Sequence, residues 1–291
     1  MCSKYTIYNY FDKHNIIYCA LYIENSIFIA YMNIQARVER YLKRGFQPPE
    51  AEILVLIEES ASALFSAFPG RFILFGGATL VLFYDSPRLS RDLDLLARAE
   101  ELPSPQDIQR VVAASIQPLA EIFGLGKLEC QHSGTSKDFI KIWVVSNQRR
   151  LFSIDLTRIG GTVLNSEVVQ EKIAGESDKT VVTPSANYLL FQKSETFLDR
   201  RYTKSRDAFD MDVLLSKGAK LDEILKAHLK DFIQMRELDS ESIRSRINSV
   251  DSKLCTVELR PVLPNELFTE LAKEDFKRLR RALENVYSDW I

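Results

Sequence analysis

The sequence predicts an α+β protein, with strands confined to its first half and helices filling its second. Three observations carry that expectation. Phe72–Phe75 is a short apolar run stopped by the pair Gly76-Gly77, as a buried strand ending in a turn would be. Lys127–Gln131, Phe139–Val145 and Leu151–Ile159 are further strand-like runs. After Gly160-Gly161 strand character fades, and the remainder reads as helix broken near Gly218, Asp239-Ser240 and Pro261–Pro264.

Residues 1–32 form an uncertain N-terminal extension. Ile16–Met32 is apolar and aromatic but is interrupted by Glu24, Asn25 and Ser26, which makes it too polar to read as a membrane span. It also lacks a small-residue cleavage site. The preferred explanation is sequence upstream of the true start, with an amphipathic anchor as the rival. From Asn33 the pattern is that of a soluble protein. Pro48-Pro49 precedes a helix over Glu50–Phe68 with Ile53, Leu56, Ile57, Leu64 and Phe68 near helical spacing. The strand Phe72–Phe75 and the glycine turn follow, then an apolar helix from Ala78 to Tyr84 that Pro87 forbids from continuing. Leu93, Leu95 and Leu96 mark a second strand. Pro103 and Pro105 open a helix reaching about Phe123, and Thr183-Pro184 opens another, with the proline in its first turn. The chain therefore divides into a catalytic part, 33–165, and a helical substrate-binding part, 166–291.

The chemistry gathers around the second strand. Asp92 lies fifteen residues beyond Gly77, and Asp94 two further on. Residues i and i+2 of a strand share a face, so the two carboxylates project together, roughly 6.5–7 Å apart along the backbone. Carboxylates that close repel unless a cation lies between them, and magnesium shares its oxygen ligands between carboxylates and phosphates. A solvated acidic turn is the plain alternative. Glycine lets a phosphate approach the backbone, and the first N–H groups of a helix attract anions. Gly76, Gly77 and Thr79 are thus the candidates for holding nucleotide phosphates. In LFSIDLTRI, Phe152, Ile154 and Leu156 fall on one face and Ser153, Asp155 and Thr157 on the other, which makes Asp155 the natural third metal ligand.

These residues carry a resemblance. FGGATLVLFY…RLSRDLDLL resembles the GG-x(14)-D-x-D pattern of the AbiEii-type nucleotidyltransferase toxins, in the DNA polymerase β-like superfamily. The segment NYLLFQKSETFLDRRYTKSRDAFDMDVLL is similar to the family's later motif, a helical lysine followed by R-D-x-x-D on the next helix: Lys193, then Arg206, Asp207 and Asp210. The likeness spans roughly Phe72 to Leu215. Arg91 stands where an acidic residue is common in the family, and Phe75 where a lysine is frequent. The resemblance implies a nucleotidyltransferase-fold mixed sheet with flanking helices, followed by a helical C-terminal domain. It also implies an enzyme that moves a nucleoside monophosphate from a nucleoside triphosphate (NTP) to an acceptor with two Mg2+ ions. It further implies the toxin half of a type IV toxin–antitoxin or phage-defence pair, some members of which modify the tRNA acceptor end, and a cognate antitoxin encoded nearby.

On that reading Asp92, Asp94 and Asp155 hold the metals, and Lys193 offers a point charge to phosphate or packs on the base. Arg206 forks onto phosphate or pairs with Asp207 or Asp210; an ion-pair network within the helix is the structural alternative for that cluster. An antibiotic-modifying nucleotidyltransferase and a catalytically silent binding protein remain the other readings. A small acidic acceptor pocket would favour the former, whereas a wide basic cleft would favour RNA. The 291-residue chain is 46% hydrophobic and 27% charged, with a formal net charge of −2, so no global basic field argues for nucleic acid. Local basic clusters do occur, as at Arg200, Arg201, Lys204 and Arg206. Cys2, Cys19, Cys130 and Cys255 lack metal-ligand spacing and read as free thiols of a cytoplasmic protein with no stable membrane association.

Overall fold

The computed structural model describes residues 33–98, 102–136, 138–159, 168–172 and 180–291. The extension 1–32 and the expected boundary at 165/166 lie outside these residues. A helix over 33–42 (α1) leads into α2 (Pro48–Ala67). The two are fastened by Glu58, fully buried, which accepts hydrogen bonds from Arg37 Nε at 3.0 Å and Tyr41 Oη at 2.8 Å and also pairs with Arg40. Strand β1 (Phe72–Phe75) passes directly into α3 (Gly76–Phe83), which is followed by β2 (Asp92–Arg98) and α4 (Pro105–Ile122). Strands β3 (Leu128–Ser136), β4 (Phe139–Ser146) and β5 (Arg149–Ile159) complete a five-stranded sheet of order β1-β2-β5-β4-β3. The sheet is mixed: β2 and β5 are parallel and the other neighbours antiparallel.

Period-two alternation decides which way this sheet faces. Leu93 and Leu95 of β2, Ile142 and Val144 of β4, and Ile154 and Leu156 of β5 enter one buried core with α2 and α4. The intervening residues, Asp92, Asp94, Lys141, Trp143, Ser153 and Asp155, therefore occupy the opposite face.

Beyond the sheet the chain differs from expectation in two places. Val168–Lys172 (β6) and Thr180–Pro184 (β7) form an antiparallel hairpin where strand character was expected to fade. Val181 of β7 enters the first core, and β7 packs beside β1 and α2. Thr183 and Pro184 accordingly end a strand instead of opening a helix. Ser185 is the N-cap of α5 (Ala186–Asp199), its Oγ accepting the Tyr188 N–H at 3.2 Å. The rest is helical: α6 (Ser205–Ser216), α7 (Glu223–Met235), α8 (Ser240–Asn248), α9 (Ser252–Leu259), α10 (Asn265–Lys273) and α11 (Lys277–Val286). A second core runs through these helices and includes Leu80 of α3. The breaks expected near Gly218, Asp239-Ser240 and Pro261–Pro264 fall between helices, and a further break occurs where Asp275 and Phe276 adopt left-handed backbone angles.

Candidate active site

The β1–α3 junction has no loop. Gly76 turns the chain with φ at +76°, and α3 begins there without a side-chain cap, Phe75 being its N-cap residue. The helix's first N–H groups are therefore left to an external acceptor. The turn also lies hard against β2: a Cβ on Gly76 would run into the Asp94 carboxylate, and one on Gly77 would come within 2.5 Å of Ser90 Oγ and 2.7 Å of Arg88 Nη2. Glycine at both positions is what lets the turn pack this closely against Asp94, Ser90 and Arg88.

Asp94 faces Phe75 across one strand boundary and Asp155 across the other. Partners in register project to the same side of a sheet, so Asp94 and Asp155 share a face, with Asp92 one pleat away. Burial, then the neighbouring charges of Asp92 and Asp155, push the Asp94 carboxyl up to about 7, against the pull of Lys193 and Lys141. Asp92 is exposed and accepts a hydrogen bond from Ser153 Oγ at 2.8 Å. Asp155 Oδ2 is held by Lys141 Nζ at 2.6 Å, while its buried Oδ1 has no hydrogen-bond partner among the described residues. Asp92 and Asp94 line the central cleft; Asp155 lies behind them and does not. Among the described residues, no three His, Cys, Asp or Glu side chains converge closely enough to cage an ion as they stand.

The opposite wall is a buried charge network. Arg88, in the connection between α3 and β2, forks onto Asp210 with Nε at 2.7 Å from Oδ1 and Nη2 at 2.9 Å from Oδ2. Lys193 Nζ reaches Asp210 at 2.7 Å and Asp207 at 3.2 Å, and Arg200 Nε donates to Asp207 at 2.6 Å. Burial alone would raise the Asp210 carboxyl, but Arg88 and Lys193 outweigh it and hold that group below its ordinary range. Burial likewise opposes the charge on Lys193, and Asp210 and Asp207 overcome it, raising the ammonium's pKa. The cleft between the walls encloses about 520 Å³. A second cavity of about 390 Å³ adjoins it and shares Gly77, Asp94, Lys193 and Arg200 with it.

The AbiEii nucleotidyl transferase toxin family of type IV toxin–antitoxin systems matches residues 61–290. The chain belongs to the AbiEii nucleotidyltransferase toxin family. Like that family, it is a nucleotidyltransferase. No curated protein matches it. Among solved structures, similar ones include a candidate nucleotidyltransferase from Helicobacter pylori (14% identity, 84% of this chain and 97% of that one, TM-score 0.49). Another is JHP933 from H. pylori (14%, 81% and 92%, 0.45). A third is the MenT4 nucleotidyltransferase toxin from Mycobacterium tuberculosis H37Rv (18%, 65% and 66%, 0.41).

In this AbiEii-family protein, Gly76, Gly77, Asp92, Asp94, Lys193, Arg206, Asp207 and Asp210 all border the two cavities. Thr79 does not. It is fully buried in α3 and its Oγ1 has no hydrogen-bond partner among the described residues. Asp207 and Asp210 are not tied to Arg206 within their own helix; their cations come from Arg88, Lys193 and Arg200. Arg206 is exposed at the cleft and has no ion-pair partner among the described residues. Sequence reasoning missed Arg88. Its partner is 122 positions away, and no local spacing marks it; the one available hint was its place in the stretch RLSRDLDLL that carries the family resemblance. The described cysteines, Cys130 and Cys255, are free, and burial raises their thiols to about 11 and about 12. No described helix is long and apolar enough to cross a membrane.

Proposed function

We propose that this toxin transfers a nucleoside monophosphate from an NTP to a hydroxyl of RNA, the tRNA acceptor end being the target, in a reaction that requires magnesium. One observation carries the proposal: an uncapped helix N-terminus and a side-chain-free turn open beside Asp92 and Asp94, in a cleft lined by six cationic and four anionic side chains. That balance suits a polyanionic acceptor better than a cationic small molecule.

The donor set fits a hard cation. Asp92, Asp94 and Asp155 offer only oxygen, burial and the charges of Asp92 and Asp155 push the Asp94 carboxyl up to about 7, and Asp155 Oδ1 is an unpartnered buried oxygen. When bound there, two magnesium ions would neutralise the triphosphate and polarise the reacting oxygens. The chain's own groups do the rest. N–H groups of the Gly76-Gly77 turn bind phosphate oxygens. Arg206, exposed in the cleft, forks onto phosphate, and Lys193 adds a point charge fixed by Asp207 and Asp210. The acceptor hydroxyl oxygen then bonds to the α-phosphorus, the bond from that phosphorus to the bridging oxygen breaks, and pyrophosphate leaves. The hydroxyl proton passes to a carboxylate oxygen of Asp94, which lines the cleft. This chemistry belongs in the cytoplasm, and a cognate antitoxin is the protein partner that would restrain it.

Purified protein incubated with each α-labelled triphosphate, magnesium and total RNA tests the proposal. Label should enter tRNA-sized RNA and disappear with chelator or in the D92A and D94A variants. Label on protein, label on a small molecule, or binding without transfer overturns the RNA assignment.

A further inference from the structure

The sheet face that bears the carboxylates does not end with them. Strand registers align Asp92, Ser153, Trp143 and Gln131 in one row across β2, β5, β4 and β3. The neighbouring row holds Asp94, Asp155 and Lys141. Since Ile142, Val144 and Ile154 point into the core, this row-bearing face is the other one, and it stays open toward the β3 edge, where Glu129 and Gln131 are exposed. Trp143 lies half-buried in it. Lys141 Nζ and the Arg150 guanidinium each lie over the indole ring, 4.5 Å from its centroid. Lys141 is committed to Asp155, whereas Arg150 is exposed and has no carboxylate partner among the described residues.

A large ring on a water-facing strand, flanked by cations, has the chemistry of a stacking platform for single-stranded nucleic acid: π-face for a base, positive charge for the adjoining phosphates. Its position is what gives it meaning. Two inter-strand spacings put Trp143 roughly 10 Å from Asp92 along the row, a distance that a nucleotide or two of single strand covers. We propose that Trp143 is the acceptor platform of this enzyme. Arg150 leaves the ring for a phosphate of single-stranded RNA, the neighbouring base takes its place on the indole, and the hydroxyl so arrives at Asp92 and Asp94. This inference rests on the RNA acceptor proposed above.

The chain has two tryptophans, so W290F leaves Trp143 as the sole indole reporter. Titrating that variant with a single-stranded RNA oligonucleotide should quench its emission saturably, and triphosphate alone should not. In transfer assays W143A should raise the apparent KM for RNA about tenfold and leave the apparent KM for NTP unchanged. W143F should keep most of the affinity, and R150A should weaken RNA binding and flatten its salt dependence. If W143A lowers the melting temperature, R150A, at an exposed side chain, tests the same surface. An unquenched Trp143, or an unchanged KM for RNA in W143A and R150A, overturns the platform while transfer by the wild type keeps the acceptor assignment. A wild type that labels no RNA overturns the acceptor assignment, and quenching, read without transfer, then decides the platform by itself.

Discussion

Lys141 Nζ stands 2.6 Å from Asp155 Oδ2, so the carboxylate proposed as third metal ligand carries its own counter-ion. The pair bridges neighbouring strands in register, and Lys141 also lowers the Asp94 carboxyl's pKa. An ammonium there competes with any cation drawn to the same oxygens. K141M keeps an unbranched side chain one atom shorter and removes its charge. The half-saturating magnesium concentration for transfer should fall by roughly threefold to tenfold, the order expected of one charge a few ångströms away in a partly wet site. A magnesium titration of wild type and K141M decides it; an unchanged or higher requirement shows that Asp155 takes no part in cation binding.

Asp94 makes the protein less stable at and above neutral pH. Its carboxyl is raised from an ordinary 3.8 to about 7 by burial and by Asp92 and Asp155. Between those values the folded state binds the proton more tightly than the unfolded state does, so stability falls as pH rises through this window. The full penalty, on the order of 4 kcal/mol, is reached above about pH 7. D94N has no such charge. Its melting temperature should match the wild type's near pH 4 and exceed it by several degrees at pH 8, although transfer is lost. A difference that does not change with pH means that Asp94 is not strained by its neighbours.

Much of this arrangement was legible in the chain, for reasons particular to its residues. The alternation Asp92-Leu93-Asp94-Leu95 and the alternation around Asp155 each place acids opposite a buried face, and both strands form with that orientation. The glycine pair marked the turn because few other residues tolerate its backbone angle at Gly76. Long-range pairing left no such trace. The β6–β7 hairpin is short, and the tertiary contacts of Val181 beside β1 and α2 make it a strand. Arg88 could not be chosen over its neighbour Arg91 by spacing, yet the first is buried on Asp210 and the second is exposed. Thr79 fell in the right helical turn but on its inner side, a distinction set by how α3 leans on the second core through Leu80.

The Arg88–Asp210–Lys193 cluster should behave as one buried electrostatic unit. Removing Asp210 alone leaves Arg88 without its forked partner and costs about 3–5 kcal/mol, because an uncompensated charge stays buried. Adding R88M to D210A removes that charge, so the double variant should be more stable than D210A itself. Denaturant unfolding of the three proteins measures the coupling. Strict additivity would mean that the pair is held apart by water and does not join the two halves of the molecule.

Gly76 combines two demands that a matched pair of variants can separate. Gly76 and Gly124 both have left-handed backbones, with φ of +76° and +68°, yet a Cβ on Gly124 meets nothing within 4 Å, whereas one on Gly76 meets the Asp94 carboxylate. G124A should therefore lose only the backbone term, about 1–2 kcal/mol, and transfer at full rate below its melting point. G76A carries the same backbone cost and must also push Asp94 from its position in the cleft. Its transfer rate should fall by at least tenfold, and the rise in melting temperature on adding magnesium and NTP, roughly 2.7 kcal/mol of stability at 100 times the dissociation constant for wild type, should shrink with it. If G76A transfers as well as G124A, the close contact between the turn and Asp94 has no part in holding the triphosphate against the carboxylates.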